Sequence, residues 1–133
     1  MKKLEHIGLA VKDLSVSNKL FTSFFKASPY KEEEVFSEGV KTSFYKIGDT
    51  KIELLQDLSG KGAIANFIKK RGEGLHHIAF EVEDIQEEMN RLKKEGFVLI
   101  NKTPKKGADN KLICFIHPKS TNGVLIELCQ NIK

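Results

Sequence analysis

Two short phrases in this chain are near copies of one another: His6-Ile7-Gly8-Leu9-Ala10-Val11-Lys12-Asp13 and His77-Ile78-Ala79-Phe80-Glu81-Val82-Glu83-Asp84. Each is followed by an apolar stretch that holds one acid, Lys51-Ile52-Glu53-Leu54-Leu55 after the first and Leu125-Ile126-Glu127-Leu128 after the second. His77 lies 71 positions after His6 and Glu127 lies 74 after Glu53, so imidazole and carboxylate are displaced together by about half the chain. Two imidazoles and two carboxylates suit one borderline divalent ion with open coordination positions, such as cobalt, nickel, manganese or zinc, rather than a closed structural site. An open site points to Lewis-acid catalysis.

Alternation along the strands selects the ligands. In the first copy Ile7, Leu9 and Val11 share one face and His6, Gly8 and Ala10 the other, whose small residues leave room beside the histidine. Glu53 opposes Ile52 and Leu54, and Glu127 opposes Ile126 and Leu128, so both acids face away from the apolar packing layer. A lone strand histidine is more often a hydrogen-bonded structural residue than a ligand. Here two histidines and two acids in duplicated positions all obey one rule, which makes His6, Glu53, His77 and Glu127 the expected metal ligands. His76 points to the opposite side of its strand from His77 and is excluded. His117, before Pro118, reads as a turn residue, and Cys129 as a small buried thiol.

Periodicity supplies the elements that position these residues. A strand from His6 to Val11 leads to a helix starting near Asp13 or Ser15, with Val16, Leu20, Phe21, Phe24 and Phe25 on one stripe, ending before Pro29. Strands follow at Glu34 to Phe36, Val40 to Ile47 and Lys51 to Gln56, joined by hairpin turns at Ser37-Glu38-Gly39 and Gly48-Asp49-Thr50. After a connector helix at about 61–71 the order repeats. A strand from His77 to Val82 precedes a helix capped by Asp84, with Ile85, Met89 and Leu92 inward, stopped by Gly96. Phe97 to Ile100, Lys111 to His117 and Gly123 to Gln130 complete the set, and Lys102 to Asn110 is a polar loop placed to border a site. The fold class expected is α+β: two tandem βαβββ repeats, 1–57 and 73–133, forming a cup-shaped mixed sheet around a metal site.

Composition bounds the rest. At 133 residues the chain fits one compact unit or two half-domains that share an interface. No apolar run approaches the roughly 20 residues of a membrane span, and Met1-Lys2-Lys3-Leu4 leads into a strand without a signal-peptide core. Two distant cysteines, Cys114 and Cys129, form no disulfide framework, in keeping with a cytoplasmic location. The net charge of +4 is spread over Lys69-Lys70-Arg71, Lys93-Lys94 and Lys105-Lys106, groups that suit a solvated surface or an anionic small molecule. Nothing resembles a nucleic-acid-binding motif.

These residues resemble the vicinal oxygen chelate superfamily, which includes glyoxalase I, bleomycin-resistance proteins, extradiol dioxygenases and methylmalonyl-CoA epimerase. The resemblance covers essentially the whole chain as one domain, 1–133. Its epimerase branch is the most similar, through His6 to Val11, Ile52 to Leu55, Gly74 to Phe80, and above all Phe115-Ile116-His117-Pro118-Lys119-Ser120 leading to Gly123-Val124-Leu125-Ile126-Glu127-Leu128. Glyoxalase I enzymes tend to carry Asp-Pro-Asp-Gly where this chain has His117 to Ser120, and an arginine where Ala10 stands.

The resemblance implies that His6, Glu53, His77 and Glu127 surround the metal, with glutamine at the Glu53 position in some epimerases. It implies interconversion of the 2R and 2S forms of methylmalonyl-CoA or a related acyl-CoA through a metal-stabilised enolate, with Glu127 as base. Several bacterial epimerases carry a glutamate in the segment matching Gly39-Val40-Lys41-Thr42, where this chain has Thr42. Threonine is no general acid near neutral pH, so the second proton would come from another group, such as Glu53 or a bound water. Lys119 and the loop from Lys105 to Lys111 are candidates for the substrate carboxylate or the coenzyme A phosphates. The alternatives are a glyoxalase I type lactoylglutathione lyase acting on a methylglyoxal–thiol conjugate, and a non-catalytic resistance-type binding protein. A homodimer is expected by resemblance alone.

Overall fold

The computed structural model describes residues 1–133. Its elements run β1 (Lys3–Ala10), α1 (Leu14–Phe25), β2 (Lys31–Val35), β3 (Val40–Ile47), β4 (Thr50–Asp57), α2 (Ala63–Arg71), β5 (Gly74–Glu81), α3 (Ile85–Lys94), β6 (Lys105–Lys106), β7 (Lys111–Ile116) and β8 (Ile126–Asn131). The chain is α+β, with strand, helix and three strands in each half, as the repeat predicts. Two compact units emerge, one of His6–His76 and one of Met1–Glu5 with His77–Lys133. Their boundaries fall inside β1 and β5. No helix is long and apolar enough to cross a membrane.

In the unit His6–His76 the strand order is β2-β3-β4-β1, antiparallel except for the parallel pair β1 and β4. A parallel pair needs a crossover, and α1 with the two hairpins provides it. The hairpin between β3 and β4 turns on Gly48, whose φ of +60° at the first central position suits the right-handed twist of the strands. Asp13 caps α1 by accepting a hydrogen bond from the Val16 N–H at 3.2 Å. The core holds Val11, Leu14, Tyr45 and Leu54, with Leu9, Phe21, Phe25 and Ile52 packed against them.

The predicted α1 stripe needs correction. Val16, Leu20 and Phe24 are 63%, 63% and 76% exposed, while Leu14, Ser17, Phe21 and Phe25 face the sheet. At about 3.6 residues per turn, the five apolar residues cover half the helix circumference, and only one side can meet a sheet. β2 is also longer than predicted, because Lys31-Glu32-Glu33-Glu34 is charged yet pairs with β3 as an edge strand.

In the second unit the order is β5-β8-β7-β6, with β5 and β8 parallel and the other pairs antiparallel. Asp84 caps α3 by accepting from the Glu87 N–H at 3.0 Å, and Gly96, at φ +95°, follows its end. Ile85, Met89 and Leu92 face inward as predicted, packing with Val82, Cys114, Ile116 and Leu128. The first residues of the chain join this unit. The Lys2 N–H donates to the Glu81 carbonyl at 2.8 Å, and the Lys2 ammonium lies 3.0 Å from Glu83.

Three predicted features of this half differ. Phe97–Ile100 makes only an isolated bridge at Leu99 to Ile116, since the Val98 N–H is taken by Ser120 Oγ and the Phe115 N–H by Asn101 Oδ1. Lys105–Lys106, read as loop, pairs with Leu112 and Ile113. β8 starts at Ile126 rather than Gly123, because Asn122 and Gly123 adopt φ of +55° and +84° and Thr121 Oγ1 donates to the Val124 carbonyl.

Candidate active site

In the unit His6–His76 the parallel register sets Glu53 opposite Gly8, two residues beyond His6. Glu53 Oε2 then lies 3.0 Å from His6 Nδ1, and both side chains are almost wholly buried. Glycine opposite the acid leaves the space that the carboxylate and imidazole share. Ile52 and Leu54, on either side of Glu53, turn the other way toward the α1 core. Across β3, Phe44 stands opposite Glu53 and closes the same face with a ring of 0% exposure.

The second unit repeats this register. Glu127 stands opposite Ala79, two residues beyond His77, and its Oε1 lies 3.3 Å from His77 Nε2. Both are buried, and Phe115, opposite Glu127, meets the His77 ring edge-on at 5.9 Å. The two pairs differ in the nitrogen engaged, Nδ1 in His6 and Nε2 in His77. Burial, and after it the negative charge of Glu127, push the Cys114 thiol up to about 12. Cys114 is therefore an inert core thiol.

A further duplicated pair escaped the sequence reading. Gln56 and Gln130, each three residues after a site acid, accept hydrogen bonds at 2.7 Å from the Leu14 and Ile85 N–H groups, the first residues of α1 and α3. The strand that carries the acid thus also fixes the start of the helix behind it. A glutamine three positions after both acids was the available signal. Glu5 was missed as well. It is 1% exposed beside His6, with Lys111 Nζ at 3.9 Å.

The residues set aside earlier have other work. His76 packs edge-on against Phe67 at 5.0 Å, and His117 Nδ1 accepts from the Lys119 N–H at 3.0 Å as the cap of a short 3-10 turn. Cys129 is buried with its thiol 3.6 Å from the Phe80 carbonyl. Among the loop lysines, Lys111 is corrected: it is buried and held by Asn131 and Glu5, not presented to solvent. Thr42 is fully buried on β3.

Chemically, each unit offers one imidazole nitrogen and one carboxylate oxygen, a donor set that fits a borderline divalent ion. A buried carboxylate is costly to keep charged unless a cation or hydrogen bonds meet it. Such an acid, buried beside an imidazole, is also suited to moving a proton.

Residues 5–115 match the model of the glyoxalase/bleomycin resistance protein/dioxygenase superfamily. The chain belongs to this superfamily. It is 42% identical to the mitochondrial methylmalonyl-CoA epimerase of Dictyostelium discoideum, over 95% of this chain and 76% of that protein. With the ethylmalonyl-CoA/methylmalonyl-CoA epimerase of Cereibacter sphaeroides the identity is 39%, over 96% of this chain and 97% of the relative. Among solved structures, a variant of Streptomyces coelicolor methylmalonyl-CoA epimerase in complex with 2-nitronate-propionyl-CoA matches at a TM-score of 0.96 and 27% identity, covering 100% of this chain and 99% of that one. The resemblance to the epimerase branch therefore holds, and the protein is an enzyme of the epimerase (isomerase) type.

Proposed function

We propose that this enzyme interconverts the 2R and 2S forms of methylmalonyl-CoA or a closely related acyl-CoA. His6, Glu53, His77 and Glu127 together hold one divalent ion, cobalt, nickel, manganese or zinc, and Glu127 is the base. The observation that carries this reading is the matched register of two buried imidazole–carboxylate pairs, Glu53 opposite Gly8 and Glu127 opposite Ala79. Relatives named as epimerases of methylmalonyl-CoA and ethylmalonyl-CoA support the substrate class.

The proton to be moved sits on the carbon between a thioester carbonyl and a carboxylate. When bound, the divalent ion supplies a chelating centre for both oxygens and draws off the charge that develops between them. Glu127 Oε1 lies beside His77, with Phe115 across the strand and Cys114 behind, so the carboxylate works away from bulk water. It accepts the proton from that carbon. His6, Glu53 and His77 fix the geometry around it. Removal of such a base costs about 10²–10⁴-fold in rate.

The test uses metal-loaded protein and (2S)-methylmalonyl-CoA in deuterated water, following exchange at the central carbon and appearance of the 2R epimer. Both are expected with at least one of the four metals. No exchange with any of them sinks the epimerase reading, and turnover of methylglyoxal with glutathione in a parallel absorbance assay would favour a lyase.

A further inference from the structure

The duplication supplies an internal comparison. α1 and α3 begin 71 positions apart, at Leu14 and Ile85, so Phe21 corresponds to Leu92 and Phe25 to Gly96. Tyr45 and Ile116 correspond as well, since each follows the phenylalanine that stands opposite its unit's site acid. In the unit His6–His76 these three rings fill the layer between helix and sheet, with the Phe25 ring centred 5.8 Å from Phe21 and 5.3 Å from Tyr45. The second unit has two aliphatic side chains, Leu92 and Ile116, and at Gly96 none at all. Its helix also stops at Lys94, whereas α1 runs on to Phe25.

The space that the rings take in one unit is open in the other. A cavity of about 290 Å³ lies on the α3 side of the second sheet, with Leu92, Ile116 and Leu128 as its buried floor and Phe80, Phe97 and Ile126 as its walls. Ile126 and Leu128 alternate with Glu127 along β8, so the cavity is on the opposite face of that strand from the acid. Arg91 and Met1, both well exposed, stand at its rim. Arg91 occupies the helix position that Leu20 has in α1. Its Nε–H donates to Glu88, and the other N–H groups of the guanidinium have no protein partner.

An apolar floor under one cation selects an apolar body that carries one negative charge. A dry apolar cavity of about 150 Å³ is enough for benzene, so this one takes a ring with a short arm. We propose that the cavity binds a small apolar carboxylate of roughly a dozen heavy atoms, its hydrocarbon body on Leu92, Ile116 and Leu128 and its carboxylate on Arg91. The site is independent of the metal ligands and of the epimerase reading.

The experiment titrates 3-phenylpropionate into isotope-labelled protein and follows the backbone amide NMR signals. Saturable shifts are expected at Arg91, Leu92, Ile116, Ile126 and Leu128, with a Kd on the order of 0.1–1 mM for a ligand of this size. The neutral analogue 3-phenylpropan-1-ol should shift the same signals but bind about three- to fivefold more weakly, the range of an exposed ion pair. Arg91→Gln should weaken the acid by the same factor and leave the alcohol unchanged. Leu92→Trp puts an indole into the cavity and should weaken both probes by about tenfold or more. No saturation of the wild type up to about 10 mM, the outcome when a second copy of the chain covers the cavity, overturns the proposal. Shifts clustered at other residues overturn it too, as does a folded Leu92→Trp that binds like the wild type. Arg91→Gln changes an exposed residue and decides the matter even where Leu92→Trp does not fold: undiminished affinity for the acid overturns the assignment.

Discussion

His6 Nδ1 lies 3.0 Å from Glu53 Oε2, although 47 positions separate the two residues along the chain. The parallel pairing of β1 with β4 closes that distance, and the pairing of β5 with β8 does the same for His77 and Glu127. In the proposed mechanism the two acids nonetheless carry different chemical burdens. Glu53→Gln keeps one oxygen donor beside His6, so the metal-to-chain ratio is expected to stay near the wild-type value and turnover to fall by less than about tenfold. Glu127→Gln should cut turnover by about 10²–10⁴-fold, as expected on losing a general base. Metal analysis and rate assays on both variants check this, and equal losses would remove the distinction in role.

The ion required by the proposed function has a readout of its own. Metal content per chain should fall in His6→Ala and in His77→Ala, and dialysis against a chelator should abolish epimerisation until a divalent ion is restored. Retention of full metal content by either variant would strike that histidine from the ligand set.

The two faces of α1 should respond very differently to substitution. Phe24 is 76% exposed, so Phe24→Ser is expected to change stability by no more than about 0.5 kcal/mol. Leu14→Ala, at 3% exposure in the core with Val11, Tyr45 and Leu54, should cost about 2–5 kcal/mol. Urea midpoints decide it. A large loss at Phe24 would mean that the face carrying Val16, Leu20 and Phe24 is covered in solution.

That helix also marks the limit of what the residues disclosed in advance. Repeated phrases and two-residue alternation were enough to expect His6 on one face with Glu53, His77 on one face with Glu127, and His76 turned away, because a strand side chain has only two directions to point. A helix has a continuous circumference, and five apolar residues spread over half of it do not say which arc meets the sheet. Local hydrogen bonding was equally hidden. Asn101 and Ser120 take backbone N–H groups that a strand at Phe97–Ile100 would need, and such choices depend on partners distant in the chain. Gln56 and Gln130 were visible as a repeat, yet their role needed the helix termini they serve.

Cys114 gives a chemical probe of the second unit. Burial and the charge of Glu127 hold its thiol at about 12, so the thiolate is scarce at pH 8. Iodoacetamide at that pH should leave Cys114 unmodified in the native protein and alkylate it rapidly in denaturant. Rapid native modification, read by mass spectrometry, would contradict the buried placement.

Lys111 and Glu5 supply the sharpest test of the chain's first residues. Both are buried, at 5% and 1% exposure, with Nζ 3.9 Å from the carboxylate and hydrogen-bonded to Asn131, which also donates to Glu81 at 3.3 Å. Removing the cation alone leaves a carboxylate in a dry setting, so Lys111→Met is expected to cost about 3–5 kcal/mol. The double variant Glu5→Gln/Lys111→Met should recover a large part of that loss, because the stranded charge is gone along with its partner. Denaturant unfolding of the two single variants and the double variant closes the cycle. A loss below about 1 kcal/mol in Lys111→Met, the range of exposed pairs, would show that the segment Met1–Glu5 is held by its backbone bond to Glu81 rather than by this ion pair.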